Sequence, residues 1–342
     1  MPGGLWLQWG SRRVSDPEFR RSWALAGVAI GRRTVLTAWI TSASQRSHTF
    51  NSRALQASEN ARVTTSTGEL ISAGGIVQAY HRWSGPGDSR HVPVVILHGV
   101  LQAGEGMRYL AELLATWSEV LVPDLRGRGN TEQPEDGYDP ATMAADVAAL
   151  MDELAIGPAL VIGRKHGGVV AYHLAASRPD LVAGLVLGDT SPEISDLRAQ
   201  RVRERMASFP RTFESLDDAE RFYEDGMGLP VDRARNDIPV DLETLEDGNL
   251  GWRYNLDLIA RIEDACMPRS DWALFDQITC PILVLRGHRG EITPEIAARL
   301  AEVPPGARVM MIHGSRHDVF IGPGSEQSLA AIALLLKETA RH

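Results

Sequence analysis

The residues with the clearest chemical potential lie in one short run, Gly163-Arg164-Lys165-His166-Gly167-Gly168. The run joins a predicted strand, Ala159–Ile162, directly to a predicted helix ending at Ser177. A G-x-x-x-G frame between strand and helix is a nucleophile elbow: the central residue is held strained at the turn, and the flanking glycines let backbones pass. Here the central residue is Lys165. Lysine is scarce in this chain, with only Lys165 and Lys337 among 35 basic residues, so chance placement at that position is on the order of one per cent. The turn sets Lys165 at the positive end of the following helix, and any burial disfavours the charged form. Both effects lower a lysine pKa. A neutral amine in an apolar pocket is what Schiff-base chemistry with carbonyl compounds requires.

Other motifs follow in a fixed order around the elbow. His98-Gly99 ends the β-branched run Val92–Leu97, and Pro123-Asp124-Leu125-Arg126-Gly127-Arg128-Gly129 follows the next short strand. Asp189-Thr190-Ser191-Pro192 closes the strand Val182–Leu187. Arg286-Gly287-His288-Arg289-Gly290-Glu291 follows the strand over 282–285, and Gly314-Ser315-Arg316-His317-Asp318 follows Arg308–Ile312. From about residue 70 to 342 this order resembles the α/β-hydrolase superfamily. The resemblance implies an oxyanion loop at His98-Gly99, with backbone N–H groups from Val100 or Leu101 and from His166. It implies a catalytic histidine at His317, a mainly structural role for the Asp124–Gly129 loop, and an orienting acid at Glu291, with Asp189 as the alternative.

The elbow departs from that family, which places Ser there, or Asp or Cys. Lysine carries its nitrogen three bonds farther from Cβ, so Nζ cannot stand where a serine Oγ would; it is expected to cross the pocket towards His317 or Glu291. Three readings stay open. Lys165 is a working amine; or it stays protonated, paired with Glu291, and clamps a carboxylate or enolate while His317 acts as general base; or the triad is inactive and the pocket only binds. Serine-type acyl-enzyme hydrolysis fits none of them. The expected function is a cofactor-free enzyme acting on a small apolar carbonyl compound, an ester, lactone or β-dicarbonyl, by hydrolysis, isomerisation or C–C cleavage. The alternative is a catalytically inactive hydrolase relative that binds a small molecule. Trp252 and Tyr254 are expected to pack the cap and wall the pocket. His313 and His317 are four apart but straddle a strand end and a loop, so no metal site is expected. No Walker-type phosphate loop is present.

The elements that must position these residues alternate strand and helix, which indicates a mostly parallel sheet covered on both faces. The rhythm breaks between Pro192 and about Trp272, where amphipathic helices such as Ser195–Ser208 and Leu216–Gly226 replace strands. The expected layout is an Arg-rich, disordered extension over 1–68, core over 69–192, an all-helical cap over 193–275, and core again over 276–342. The extension reading rests on nine Arg against three acids in residues 1–62. Net charge is −9 overall, which disfavours a general electrostatic grip on nucleic acid. Two cysteines, Cys266 and Cys280, exclude a disulfide framework and favour a reducing compartment. No apolar run approaches bilayer-spanning length. The expectation is a cytoplasmic protein with a small-molecule partner, no membrane or nucleic-acid partner, and homo-oligomerisation left open.

Overall fold

The computed structural model describes residues 65–86, 90–226, 235, 238–267, 270–304, 306–315, 318–322 and 324–340. The extension up to residue 64, and with it the expectation of disorder there, lies outside the described residues. The first strand, β1 (Thr65–Ala73), begins four residues ahead of the expected core boundary at Glu69. A register shift between Ser66 and Glu69 breaks its alternation, which is why the sequence pattern faded there. β1 pairs with β2 (Ile76–Trp83) through Gly74-Gly75, both at positive φ, as a two-residue hairpin turn of the primed type requires.

The remaining strands of the main sheet are β3 (Val94–Leu97), β4 (Val120–Pro123), β5 (Ala159–Arg164), β6 (Val182–Gly188) and, after the insertion, β10 (Ile282–Gly287) and β11 (Ala307–Ile312). Their order is β1-β2-β4-β3-β5-β6-β10-β11, antiparallel as far as β4 and parallel beyond it. β5, which delivers the elbow, is flanked by parallel partners on both sides and buried at every position. Successive residues of these strands serve opposite faces. Val95, Leu97, Val161 and Leu187 pack against α2 (Pro140–Glu153) and α3 (His166–Ser177). Val94, Ile96, Ile162 and Val186 pack against α1 (Arg108–Ala115) and α9 (Ser325–Glu338). Each fully buried branched side chain contributes about 1.5–3 kcal/mol, so this double-faced core fixes the sheet that carries the site. The start of α2 follows from Asp139-Pro140: the Asp139 carboxylate accepts from Thr142 N–H at 2.9 Å, and Pro140 opens the first turn.

The insertion holds α4 (Asp196–Ala207), α5 (Leu216–Arg221), a π-helical turn over Phe222–Gly226, and α6 (Leu256–Ala265). It is not all-helical as expected. A three-stranded antiparallel sheet, β7 (Thr212–Phe213), β8 (Leu242–Thr244) and β9 (Leu250–Trp252), runs through it in the order β7-β9-β8. Strands of two or three residues are too short to show periodicity; the Asp247-Gly248 turn between β8 and β9 was the readable signal. α7 (Trp272–Phe275), placed in the cap by the sequence, packs on the core instead, with Phe275 against Tyr172 of α3 at 5.2 Å between ring centroids. α8 (Pro294–Leu300) lies between β10 and β11 in the chain. No helix among the described residues is long and apolar enough to cross a membrane.

Candidate active site

Lys165, His166, Asp189, Glu291, Val100 and Leu101 sit just beyond the carboxyl ends of the parallel strands, where open α/β sheets place their ligands. Lys165 follows β5 with φ 48° and ψ −111°, and its N–H bonds Gly188 O at 3.1 Å. That backbone conformation is strained for a residue with a side chain. It is held by close packing: a Cβ on Gly163 would meet Gly168 Cα at 2.4 Å, and one on Gly167 would meet Leu97 O at 2.2 Å. The elbow expected from the glycine frame is thus present, with lysine at its apex.

The Lys165 side chain stays 27% accessible and extends towards Glu291, with Nζ 3.8 Å from Oε1. The same oxygen is only 2.9 Å from Nη2 of Arg198 on α4. Burial lowers the Lys165 pKa; Arg164 adds to the fall, while Glu291, Glu263 and Asp189 oppose it. Asp189 also takes a positive φ, 48°. Its carboxylate accepts from Gly287 N–H at 3.3 Å and from Glu291 N–H at 2.9 Å. Burial pushes its pKa up to about 6 despite these bonds. A Cβ on Gly290 would meet Asp189 Oδ1 at 2.1 Å, so the glycine in the acid loop is what leaves room for Asp189. Both candidate acids therefore lie at one corner, Glu291 engaged with cations and Asp189 with backbone.

His317 lies outside the described residues. The next residue, Asp318, pairs with Arg164 at 2.8 Å, so the chain just after position 317 is tied to the residue before the elbow. His98 is fully buried: Nδ1 faces Gly99 O at 2.9 Å and Nε2 accepts from Leu125 N–H at 3.0 Å. Burial holds its pKa at about 3, so it is a neutral brace between two loops. The described hydrogen bonds of Val100 and Leu101 run through their carbonyls, which accept from Arg128 Nε at 2.6 Å and from Tyr254 Oη at 3.2 Å. His166 opens α3 and is 5% exposed; neither ring nitrogen has a hydrogen-bond partner, and burial pushes its pKa well below the usual value.

These groups bound a cavity of about 80 Å³, lined among others by Lys165, His166, Asp189, Arg198, Glu263 and Glu291. That volume is well below the range for drug-sized ligands and suits a small molecule. Trp252 and Tyr254 are not among its lining residues, contrary to expectation. Trp252 belongs to the cap's own aromatic cluster, with Phe209, Phe213, Phe222 and Tyr223, and Tyr254 reaches the loop at Leu101 instead. An apolar ring finds more contact inside the cap than beside this charged cavity. Sequence reasoning missed Arg198, Glu263 and the burial of Arg128. Glu263 alone left a signal: it lies four residues after buried Ile259, an acid on the inward face of α6. Among the described residues, no group of three or more His, Cys, Asp or Glu side chains could hold a metal ion.

Residues 94–329 match the alpha/beta hydrolase family. The chain belongs to that family. Among curated relatives, lipase LipV of Mycobacterium tuberculosis is 36% identical over 174 residues, 50% of this chain and 65% of the lipase. Esterase Rv0045c of the same organism is 30% identical over 247 residues, 68% of this chain and 76% of the esterase. The matched stretch also covers only 35% of a soluble epoxide hydrolase from a Corynebacterium species, so several of these relatives are matched over part of their length. A solved E-2-(acetamidomethylene)succinate hydrolase superposes with a TM-score of 0.70 at 22% identity, covering 79% of this chain and 100% of that one. This alpha/beta hydrolase chain thus shares its fold with that solved structure over most of its length.

Proposed function

We propose that this chain is a cofactor-free enzyme of the alpha/beta hydrolase family that acts on a small β-dicarbonyl compound through the Lys165 amine. The observation that carries this reading is the placement of Nζ in a cavity beneath the cap, partly desolvated, with the nearest carboxylate held more tightly by Arg198 than by Lys165. An amine so placed has a larger neutral fraction than a surface lysine. Of the three substrate classes the sequence suggested, esters and lactones fit an amine poorly, because acylation would leave a stable amide. A ketone condenses reversibly.

In this reading the Nζ lone pair adds to one carbonyl carbon and its proton passes to the oxygen. The hydroxyl leaves as water, with a proton from Glu263, whose pKa is raised by burial. The resulting iminium draws the electron pair of the bond between the α-carbon and the second carbonyl carbon, to which water has added with His317 as general base. That carbon leaves as a carboxylic acid. The enamine takes up a proton, and a second water hydrolyses the imine and frees Lys165. Val100 and His166 N–H groups would stabilise the oxyanion formed by water addition.

Treatment with pentane-2,4-dione followed by borohydride should add a stable mass to the peptide containing residue 165. Lys337, exposed on α9, is the internal control. Lys165→Arg should abolish the adduct, because guanidinium stays protonated. A second reading, the charge clamp, draws on the shared contact of Lys165 and Arg198 with Glu291; it predicts no adduct and partial activity in Lys165→Arg. Absence of turnover and adduct in every variant would leave the binding-protein alternative. An adduct on Lys337 alone would overturn the amine reading.

A further inference from the structure

One buried cation in this corner is not used by the chemistry above. Arg128, in the loop after β4, is 1% exposed and has no ion-pair partner among the described residues. Its Nε and Nη1 brace the carbonyls of Val100 and Gly127, at 2.6 and 3.1 Å, while Nη2 has no hydrogen-bond partner. His166 presents the same feature with both ring nitrogens, and it lines the cavity that holds Nζ. The two belong to one corner. Gly167, next to His166, packs directly on the carbonyls of Leu97 and His98, and Arg128 bonds Val100 two residues farther along that loop.

A buried guanidinium without a counter-charge is unfavourable unless something compensates it, and isolated buried polar atoms call for a reason. Bracing two carbonyls accounts for Nε and Nη1 only. The carboxylates nearest Lys165 are engaged elsewhere, Glu291 with Arg198 at 2.9 Å and Asp189 with the Glu291 N–H at 2.9 Å, and none makes an ion pair with Arg128 among the described residues.

We propose that Arg128 Nη2 and His166 form an inner subsite for a carboxylate, so that the β-dicarbonyl substrate is an acid whose carboxylate docks beneath the cap beside Lys165. This rests on the amine reading for the reaction but not for the binding. One guanidinium nitrogen and one imidazole nitrogen match the two oxygens of a carboxylate. A phosphate would bring further oxygens beyond the two that this pair of nitrogens matches.

The test compares 2,4-dioxopentanoate with its methyl ester by calorimetric titration of the full chain. Both share one skeleton and differ in the anionic charge. The free acid should bind at least about ten-fold more tightly. Arg128→Gln should reduce that preference to within about two-fold, and Arg128→Lys, with a charge of shorter reach, should keep an intermediate preference. Equal binding of acid and ester by the wild-type chain would overturn the proposal without any variant. So would a preference that survives Arg128→Gln, or stronger displacement of the acid by inorganic phosphate than by acetate. Failure of the amine reading would appear separately, as no borohydride-trapped mass at residue 165 while the Arg128-dependent preference persists.

Discussion

Around Arg126 every buried charge has a partner, whereas near Lys165 the buried Arg128 Nη2 and both ring nitrogens of His166 have none. Arg126 grips Asp146 with two bonds of 2.7 Å, both groups nearly inaccessible, and Asp124 accepts from Gly104 and Asn130 N–H groups at 2.6 and 3.0 Å. Arg128 and His166 are as deeply buried as Arg126 and Asp146, so burial alone does not separate them. What separates them is satisfaction. A closed set of partners makes the Arg126 side a scaffold; the open set beside the elbow leaves donors for a ligand to complete.

The largest expected effect probes the closed side. Asp146→Ala leaves the Arg126 guanidinium buried and unpaired and should cost about 3–5 kcal/mol in urea denaturation. Arg128→Met breaks no ion pair but leaves the Val100 and Gly127 carbonyls without its N–H donors, so it should cost less, about 1–3 kcal/mol in the same assay. Equal losses in the two variants would erase the contrast between the regions.

Next in size is a pH effect at Asp189. Its folded-state pKa of about 6 stands above the ordinary 3.8, so between about pH 4 and 6 the folded chain keeps a proton that the unfolded chain has lost. Stability from this group therefore falls as pH rises through that window, by about 3 kcal/mol, and is level on either side. Asp189→Asn should flatten that part of the stability profile; an unchanged slope would show that Asp189 does not titrate there.

Gly290→Ala should cost about 1–3 kcal/mol by forcing Asp189 aside. Asp189→Gly in the same chain should recover most of the loss, since the two positions share one space. Additive losses would mean they do not compete. The smallest effect is at the elbow. Lys165→Gly relieves the positive φ and should raise stability by about 1 kcal/mol while abolishing adduct formation. A loss of stability there would place Lys165 on the scaffold side of the comparison.

Most of the architecture was readable because local patterns report it. The glycine frame around Lys165, the buried run ending at His98 and the Asp139-Pro140 cap each draw on neighbours within a few residues. The interior of the cap was not readable in this way. β7, β8 and β9 are two or three residues each and exist through pairing across the insertion, and Trp252 joined a cluster of aromatic partners that no spacing announced. His317 remains a reading from sequence and family resemblance.

By itself the sequence determined the elbow, the identity of the residue at its apex, and the order in which loops reach the carboxyl end of the sheet. Those depend on backbone geometry and periodicity, which are written in adjacent residues. Only the tertiary structure decided the electrostatics. Arg198 comes from α4, Glu263 from α6 and Asp189 from the end of β6, and their charges meet beside Lys165 only when the cap closes on the sheet. Interaction between charges depends on distance through space and on excluded water, and neither quantity is carried by separation along the chain.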